Sequence, residues 1–331
     1  MMKYSLSLLF MFITIMGLSQ IKTTPSMKFD ATLKTKYELA TETGMSRFSV
    51  RNSRVGLFGD LNEYVSYKFQ IELSNEGKFD VLDLYGTIKP IQNLELSLGQ
   101  LSIPIFNSYM ITPSQMMFAN RAFHAKYFAP GTRDIGALVA YNTKLIGIPV
   151  KFETGVFNAN LINKPEWTKQ VSYSARVSLG SIDGFRSTAK VYRYPGHDTT
   201  DILIWGLDFR YGKDRYKVEA EIMNRHNYRT PDDLFSASLQ AARSYPIKKS
   251  KIFKDFTPAI RWDGIGHNFA DRGFDINRLT TGFAFGFTTK PFSSLLRIDY
   301  EHYFIRDHIK ELSKSAEMES SKITLELLLV F

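Results

Sequence analysis

The feature that most limits what this chain can fold into is a period of two, repeated almost from end to end. Tyr67, Phe69, Ile71 and Leu73 alternate with Ser66, Lys68, Gln70 and Glu72, and Val171, Tyr173, Ala175, Val177 and Leu179 with Ser172, Ser174, Arg176 and Ser178. The same holds for Leu296, Ile298, Tyr300, His302 and Phe304 against Arg297, Asp299, Glu301 and Tyr303. Successive side chains leave a pleated strand on opposite sides, so this pattern predicts strands with one apolar and one polar face. About sixteen segments fit: 27–38, 47–59, 64–73, 81–89, 94–101, 134–141, 150–158, 170–179, 187–194, 202–211, 215–223, 234–244, 256–263, 278–287, 294–304 and 321–331. Most are near the ~10 residues of a tilted membrane-spanning strand. In the second, Phe48 and Val50 share one face but Val55 and Leu57 the other, which predicts a bulge near Asn52-Ser53.

A soluble sandwich would show the same alternation. Three features favour a barrel in a membrane. Bulky aromatics crowd the apolar faces near strand ends, as girdles at two interfaces require, while the polar faces carry charges, Ser and Thr suited to a wet lumen. The connections are tight at 60–63, 90–93 and 212–214 but long at 102–133, 224–233, 264–277 and 305–320, as at the two rims of an outer-membrane barrel. The join at 245–255 is longer than that rule expects. Finally, the last strand closes on Phe331, resembling the C-terminal signal read by the barrel-assembly machinery. The expected fold is a 16-stranded antiparallel transmembrane β-barrel, with outer-membrane lipid and lipopolysaccharide as its surroundings.

Met1-Met2-Lys3 followed by an apolar run from Leu6 to Leu18, with Gly17 and Ser19 before Gln20, predicts a signal peptide over 1–19 and one barrel domain over 20–331. The run is shorter than the ~20 residues of a spanning helix. The chain has no cysteine, which excludes disulfide scaffolds, zinc ribbons and thiol nucleophiles.

Catalytic and nucleic-acid readings find little support. His124, His197, His226, His267, His302 and His308 form no metal-binding pair of the HExxH kind, and no G-x-S-x-G elbow, dinucleotide loop or Walker A motif occurs. Asp307-His308 reads as solvated charge, and Asp299 with Glu301 as lumen wall rather than as a carboxylate dyad. No enzyme activity and no cofactor are expected. The net charge of +9 invites nucleic acid, but Lys68 is interleaved with Glu72, Lys151 with Glu153, Arg210 with Asp208 and Lys217 with Glu219. Counterion release needs an uninterrupted basic track. The only dense run, Lys248-Lys249-Ser250-Lys251 with Lys254, falls in the long join on the side of the short turns.

Five segments in order resemble the phosphate-selective porins O and P of Gram-negative outer membranes. Arg51-Asn52-Ser53-Arg54-Val55-Gly56 is similar to that family's R-R-x-R-hydrophobic-G strand, with Asn52 in place of one basic residue. Leu98-Gly99-Gln100-Leu101-Ser102-Ile103-Pro104 resembles its G-Q-x-x-x-P strand end, and Ala129-Pro130-Gly131-Thr132-Arg133-Asp134-Ile135-Gly136 its P-G-x-R-D-hydrophobic-G return. Gly155-Val156-Phe157-Asn158 and Pro258-Ala259-Ile260-Arg261-Trp262-Asp263 resemble two further strands of the family. The resemblance implies a sixteen-stranded barrel with loop 3 folded into the pore, a homotrimer, and small anionic solutes as cargo. Gln20 as first mature residue resembles exported proteins of the Bacteroidota group.

Sixteen strands enclose more space than side chains fill, so passive diffusion of small hydrophilic solutes is expected, the rival being a non-conducting adhesin or scaffold. Wall candidates are Arg51, Arg54, Lys68, Arg176, Arg210, Arg261 and Arg297, but Lys34 and Lys151 with these bases are opposed by Asp83, Glu95, Glu153, Asp208, Glu219, Asp299 and Glu301. The 32 residues Ser102–Arg133 differ: they hold Arg121, His124, Lys126 and Arg133 and no Asp or Glu. Met116, Met117, Phe118, Phe123, Tyr127 and Phe128 give this loop apolar mass for packing inward. Arg121, Lys126 and Arg133 are therefore expected at the constriction of an anion-preferring pore, the alternative being an extracellular lid whose bases meet lipopolysaccharide phosphates.

Overall fold

The computed structural model describes residues 25–75, 77–105, 112–195, 200–230, 233–307 and 320–331. The expected signal peptide with its junction at Gln20, as well as His197 and His308, lie outside the described residues. Sixteen long strands form one closed antiparallel barrel. They are β1 (Lys28–Ala40), β2 (Ser46–Asp60), β3 (Val65–Asn75), β4 (Lys78–Ile91), β5 (Leu94–Ser102), β6 (Arg133–Leu145), β7 (Ile148–Phe157) and β8 (Ser172–Gly180). Then follow β9 (Gly184–Pro195), β10 (Asp201–Lys213), β11 (Tyr216–Asn227), β12 (Leu234–Arg243), β13 (Asp255–His267), β14 (Ile276–Gly286), β15 (Leu295–Ile305) and β16 (Lys322–Val330). Each pairs with the next, and β16 returns to β1 in a register that sets Lys34 opposite Leu328 and Lys36 opposite Glu326. Closure follows from the setting, since lipid offers no partner to an unpaired edge.

The expected spans agree with these to within a few residues, because period two is a local property that needs no distant contact. The parity break is real: pairing of β2 with β3 shifts register at Arg51–Ser53 and again at Arg54, and Asn52 adopts φ 57°. The join at 245–255 is explained by a two-residue continuation of β12, Tyr245–Pro246, which pairs with Phe256 and Asp255. One expectation needs correction. At the rim of the long loops, Ala40 and Ser46 are joined by only five residues and Asn75 and Lys78 by two, so length does not strictly alternate.

The outward faces are apolar. Leu73, Leu98, Leu239 and Ile260 are each more than half exposed to the surroundings. The inward faces hold most of the buried charge, including Lys34, Arg261, Asp263, Arg278, Arg297 and Glu326. The interior also has an apolar collar, formed by Tyr192, Ile202, Ile204, Met223, Leu234, Ile265, Ile276 and Tyr303 of β9 to β15, and Phe123 and Phe128 of the 102–133 loop pack against it. Gly99, at φ 134°, lies so close to β4 that a Cβ would sit 2.3 Å from the Leu84 carbonyl oxygen, which explains the glycine of the 98–104 segment.

Candidate functional site

The loop joining β5 to β6 crosses the lumen and is tied to the wall by its own backbone. At its neck, Ile103 N–H donates to the Thr132 carbonyl at 3.0 Å. Beyond, the carbonyls of Met116, Ala119, Asn120 and Arg121 accept from Arg297 Nη1 (2.9 Å), Lys34 Nζ (2.7 Å), Arg261 Nη1 (2.8 Å) and Arg278 Nη2 (2.7 Å). Conversely, Ala119 N–H and Phe123 N–H donate to Asp299 Oδ2 (2.7 Å) and Asp263 Oδ2 (3.0 Å). A loop of irregular backbone has no ladder to satisfy its polar groups, so buried charges on β1, β13, β14 and β15 do so instead. The guanidinium groups of Arg261 and Arg278 also lie 4.8 and 4.4 Å from the Phe118 and Phe123 ring centres.

One helical turn, α1 (His124–Tyr127), carries the loop toward β11. There His124 Nε2 is 2.9 Å from Glu221 Oε2, and Glu221 also pairs with Lys190, which lies 2.8 Å from Asp208. All four side chains are buried. Further pairs on the wall beneath the loop include Lys34–Glu326 (2.9 Å), Arg297–Glu326 (2.6 Å), Arg278–Asp263 (2.7 Å) and Arg261–Asp263 (3.3 Å).

The opposite wall is open. A cavity of about 490–510 Å³ in each case lies at two places, one against β2 to β4 and one near the turn rim. The first brings together Arg121, Lys126 and Arg133 of the loop with Arg51, Arg54 and Lys68 of the wall. Its acids are Asp30, Glu72, Asp80 and Asp83. Asp83 is held between Lys68 Nζ and Arg133 Nε, both at 2.7 Å, and Glu72 accepts from Arg54 Nε at 3.1 Å. A second cavity of about 240 Å³ shares Lys68, Asp83 and Ser102 with the first and continues past Lys151, Glu153 and Arg176. Where the loop meets β1 and β2, a small cleft is lined by Lys34, Lys36, Arg51, Arg121 and Lys126 and by no acid. Burial, reinforced by Arg54 and Arg51 and opposed by Glu72, lowers the Arg121 guanidinium from its ordinary value.

Of the expected wall residues, Arg51, Arg54, Lys68 and Arg176 face these open spaces and Arg210 borders the cavity near the turn rim. Arg261 and Arg297 are on the lumen wall but under the loop, at 2% and 1% exposure, and their donors hold the loop's carbonyls. Lys36, Lys190, Glu221, Arg278 and Glu326 carry no local mark in the strand pattern, and Asp263 is marked only as the end of the 258–263 segment. A signal existed: Ile202-Leu203-Ile204 is apolar on both faces of its strand, which marks an inward surface that something must cover. Asp134 of the 129–136 segment is fully buried, and its Oδ1 accepts the Ile135 N–H at 2.7 Å. The backbone of Ala159, Asn160 and Leu161 lies beside the carboxylate, in the loop after β7 where Ala159, Leu161 and Asn163 all have positive φ. Among the described residues no group of three His, Asp or Glu side chains is placed to hold a metal.

No family model matches the chain, and no curated protein does. Solved structures do match. An anion-selective porin from Comamonas acidovorans superposes with a TM-score of 0.64 at 14% identity, over 93% of this chain and 100% of that one. OmpF of Salmonella typhi gives 0.66 at 12%, over 92% and 97%. The outer membrane channel DcaP of Acinetobacter baumannii gives 0.55 at 12%, over 95% and 99%. At such identities the likeness defines the fold: a sixteen-stranded barrel of the outer-membrane porin type. The narrower resemblance to phosphate-selective porins is not matched by a family model.

Proposed function

We propose that the protein is an outer-membrane channel through which small hydrophilic solutes diffuse down their gradients, with a preference for anions. The observation that carries this reading is the small cleft where the loop meets β1 and β2: Arg51, Arg121 and Lys126 converge on it with no acid in its lining, while Lys34 and Lys36 at its edge are paired with Glu326 and Glu38. Low-dielectric walls focus such a field and enrich anions. The planar forks of Arg51, Arg54, Arg121 and Arg133 suit phosphate and other oxyanions, and the five segments similar to phosphate-selective porins favour the same cargo. The anion-selective Comamonas porin, which shares this fold, lends further support. Asp299, Glu301 and Asp263 are engaged by the loop or by arginines, in keeping with their reading as lumen wall.

On this reading residues 1–19 direct export and are removed, residues 20–331 form the barrel, and Phe331 serves recognition by the assembly machinery. Lipopolysaccharide surrounds the long-loop rim. A homotrimer is the expected assembly, in keeping with the family resemblance and with a Vibrio cholerae outer membrane protein of this fold described in a trimer form. The deciding experiment is a planar-bilayer recording of the purified protein. Discrete conductance steps with a reversal potential favouring chloride over potassium are expected; a folded but silent barrel would instead mark a scaffold or adhesin.

A further inference from the structure

The basic run in the turn after β12 has no part in the pore. From Leu234 to Lys254 the chain contains no Asp or Glu, and Arg243, Lys248, Lys249, Lys251 and Lys254 fall in that stretch. The turn is well built. Ile247 N–H donates to the Lys254 carbonyl at 2.9 Å, Ser250 Oγ accepts from Ile252 N–H (3.2 Å) and Phe253 N–H (3.0 Å), and Lys254 Nζ caps the Lys251 carbonyl at 3.1 Å. Lys248, Lys249 and Lys251 are left exposed, as is Ile252 at 65%.

Its position relative to the membrane is set by aromatic contacts on the outer face. The Phe253 ring lies 5.1 Å from Phe285 and 5.6 Å from Phe287, and Phe256 lies 5.4 Å from Phe285. The Arg243 guanidinium lies between two more rings, 4.7 Å from Tyr216 and 4.8 Å from Tyr245. Arg243 shares the outward face of β12 with Phe235 and Leu239, and Phe235 at the other end stacks on Phe269 at 4.5 Å. Eight residues of strand, tilted as barrel strands are, separate Arg243 from Phe235 by roughly 20 Å across the membrane, against a hydrocarbon band of about 25 Å. Arg243 thus stands at the band's edge on the terminal side, with the three lysines just beyond it.

A cation held on an apolar face at that depth meets phosphate oxygens of lipid headgroups, with its aliphatic stem still in the acyl region. The nearby acids do not neutralise the patch: Asp255 is buried on the lumen side, and Asp214 is a single carboxylate in the neighbouring turn, where Arg215 Nη1 donates to Ser244 Oγ at 3.2 Å. We infer that Arg243, Lys248, Lys249 and Lys251 form a binding site for anionic phospholipid in the leaflet that faces the chain termini. The inference rests on the membrane-embedded exterior of the proposed function and is independent of the pore's ion preference.

The test reconstitutes the full barrel in nanodiscs of phosphatidylethanolamine mixed with phosphatidylglycerol and counts retained lipids by native mass spectrometry. The wild type is expected to leave the bilayer carrying phosphatidylglycerol in preference to phosphatidylethanolamine. Arg243→Gln with Lys248→Gln, Lys249→Gln and Lys251→Gln should lower that retention roughly tenfold or more. Lys248→Arg with Lys249→Arg and Lys251→Arg should keep it. Equal retention of the two lipids by the wild type overturns the inference, whether or not the variant folds, and so does unchanged retention in the folded glutamine variant. A wild type that does not enter bilayers at all removes the membrane reading with it, whereas one that inserts without lipid preference removes only this site.

Discussion

Arg278 and Arg54 stand in the same kind of place, an inward position on a strand with a carboxylate across the sheet: Asp263 at 2.7 Å for the one, Glu72 at 3.1 Å for the other. Arg278 is 1% exposed and gives a donor to the Arg121 carbonyl, so it is a clamp on the loop. Arg54 borders a cavity of about 510 Å³ and meets whatever passes through it. The difference extends across the lumen. On β11, β13 to β16 and β1 charges hold the loop, while on β2 to β8 they line open space. The chemistry of a lumen charge is decided by what covers it.

The sharpest way to break this comparison is to remove a clamp. Arg278→Met leaves Asp263 and Glu301 without one of their shared counter-ions and strips the Arg121 carbonyl of its donor. Breaking a buried pair by removing one partner costs about 3–5 kcal/mol. The denaturation midpoint in detergent should fall accordingly, and single-channel conductance should rise or turn noisy as the loop loosens. Equal stability and a quiet channel would mean that the loop does not depend on Arg278 and is held by its other wall contacts.

On the open side the opposite outcome is expected. Arg121→Glu with Lys126→Glu should move the reversal potential under a KCl gradient toward potassium while the barrel still folds and inserts. Unchanged selectivity would take this loop segment out of the ion path. Asp83→Asn is expected to act more gently and in the other sense. It frees Lys68 and Arg133 from the carboxylate they share, so anion preference should increase; a decrease would show that Asp83 serves mainly to position these bases.

The smallest expected effect is on pH dependence. Burial lowers the Arg121 guanidinium from its ordinary value, yet a guanidinium keeps its proton well into alkali, so its positive charge is present at neutral pH and above. Anion preference should therefore stay level between about pH 7 and pH 9 in the wild type. A decline over that range that is missing in Arg121→Gln would show that burial strips this guanidinium of its proton.

Much of the fold is legible in the residues one strand at a time. The alternation in 64–73 or 294–304 needs no knowledge of neighbours, since it depends only on the pleat and on one face meeting lipid. The bulge near Asn52 is legible for the same reason. The candidate site is legible only in part. Absence of acid between Ser102 and Arg133 marks the loop as electropositive, and its aromatics mark it as something that packs. The wall it packs on is not marked by charge, because Arg261 and Arg297 look like Arg54 and Arg176 in their local patterns. What distinguishes the covered wall is its inward apolar residues, among them Ile202, Ile204, Leu234, Ile265 and Ile276, and they are few against the surrounding alternation.

By itself, then, the sequence determined the strands, their faces, the places where the chain turns and the sign of the loop's charge, all of which follow from interactions among near neighbours. The tertiary structure alone decided which bases hold the loop and which meet the solute. Those pairings join residues far apart in the chain, such as Lys34 with Ala119, Phe123 with Asp263, and Met116 with Arg297. A carbonyl that needs a donor carries no mark of which arginine will supply it until closure of the barrel brings the two together.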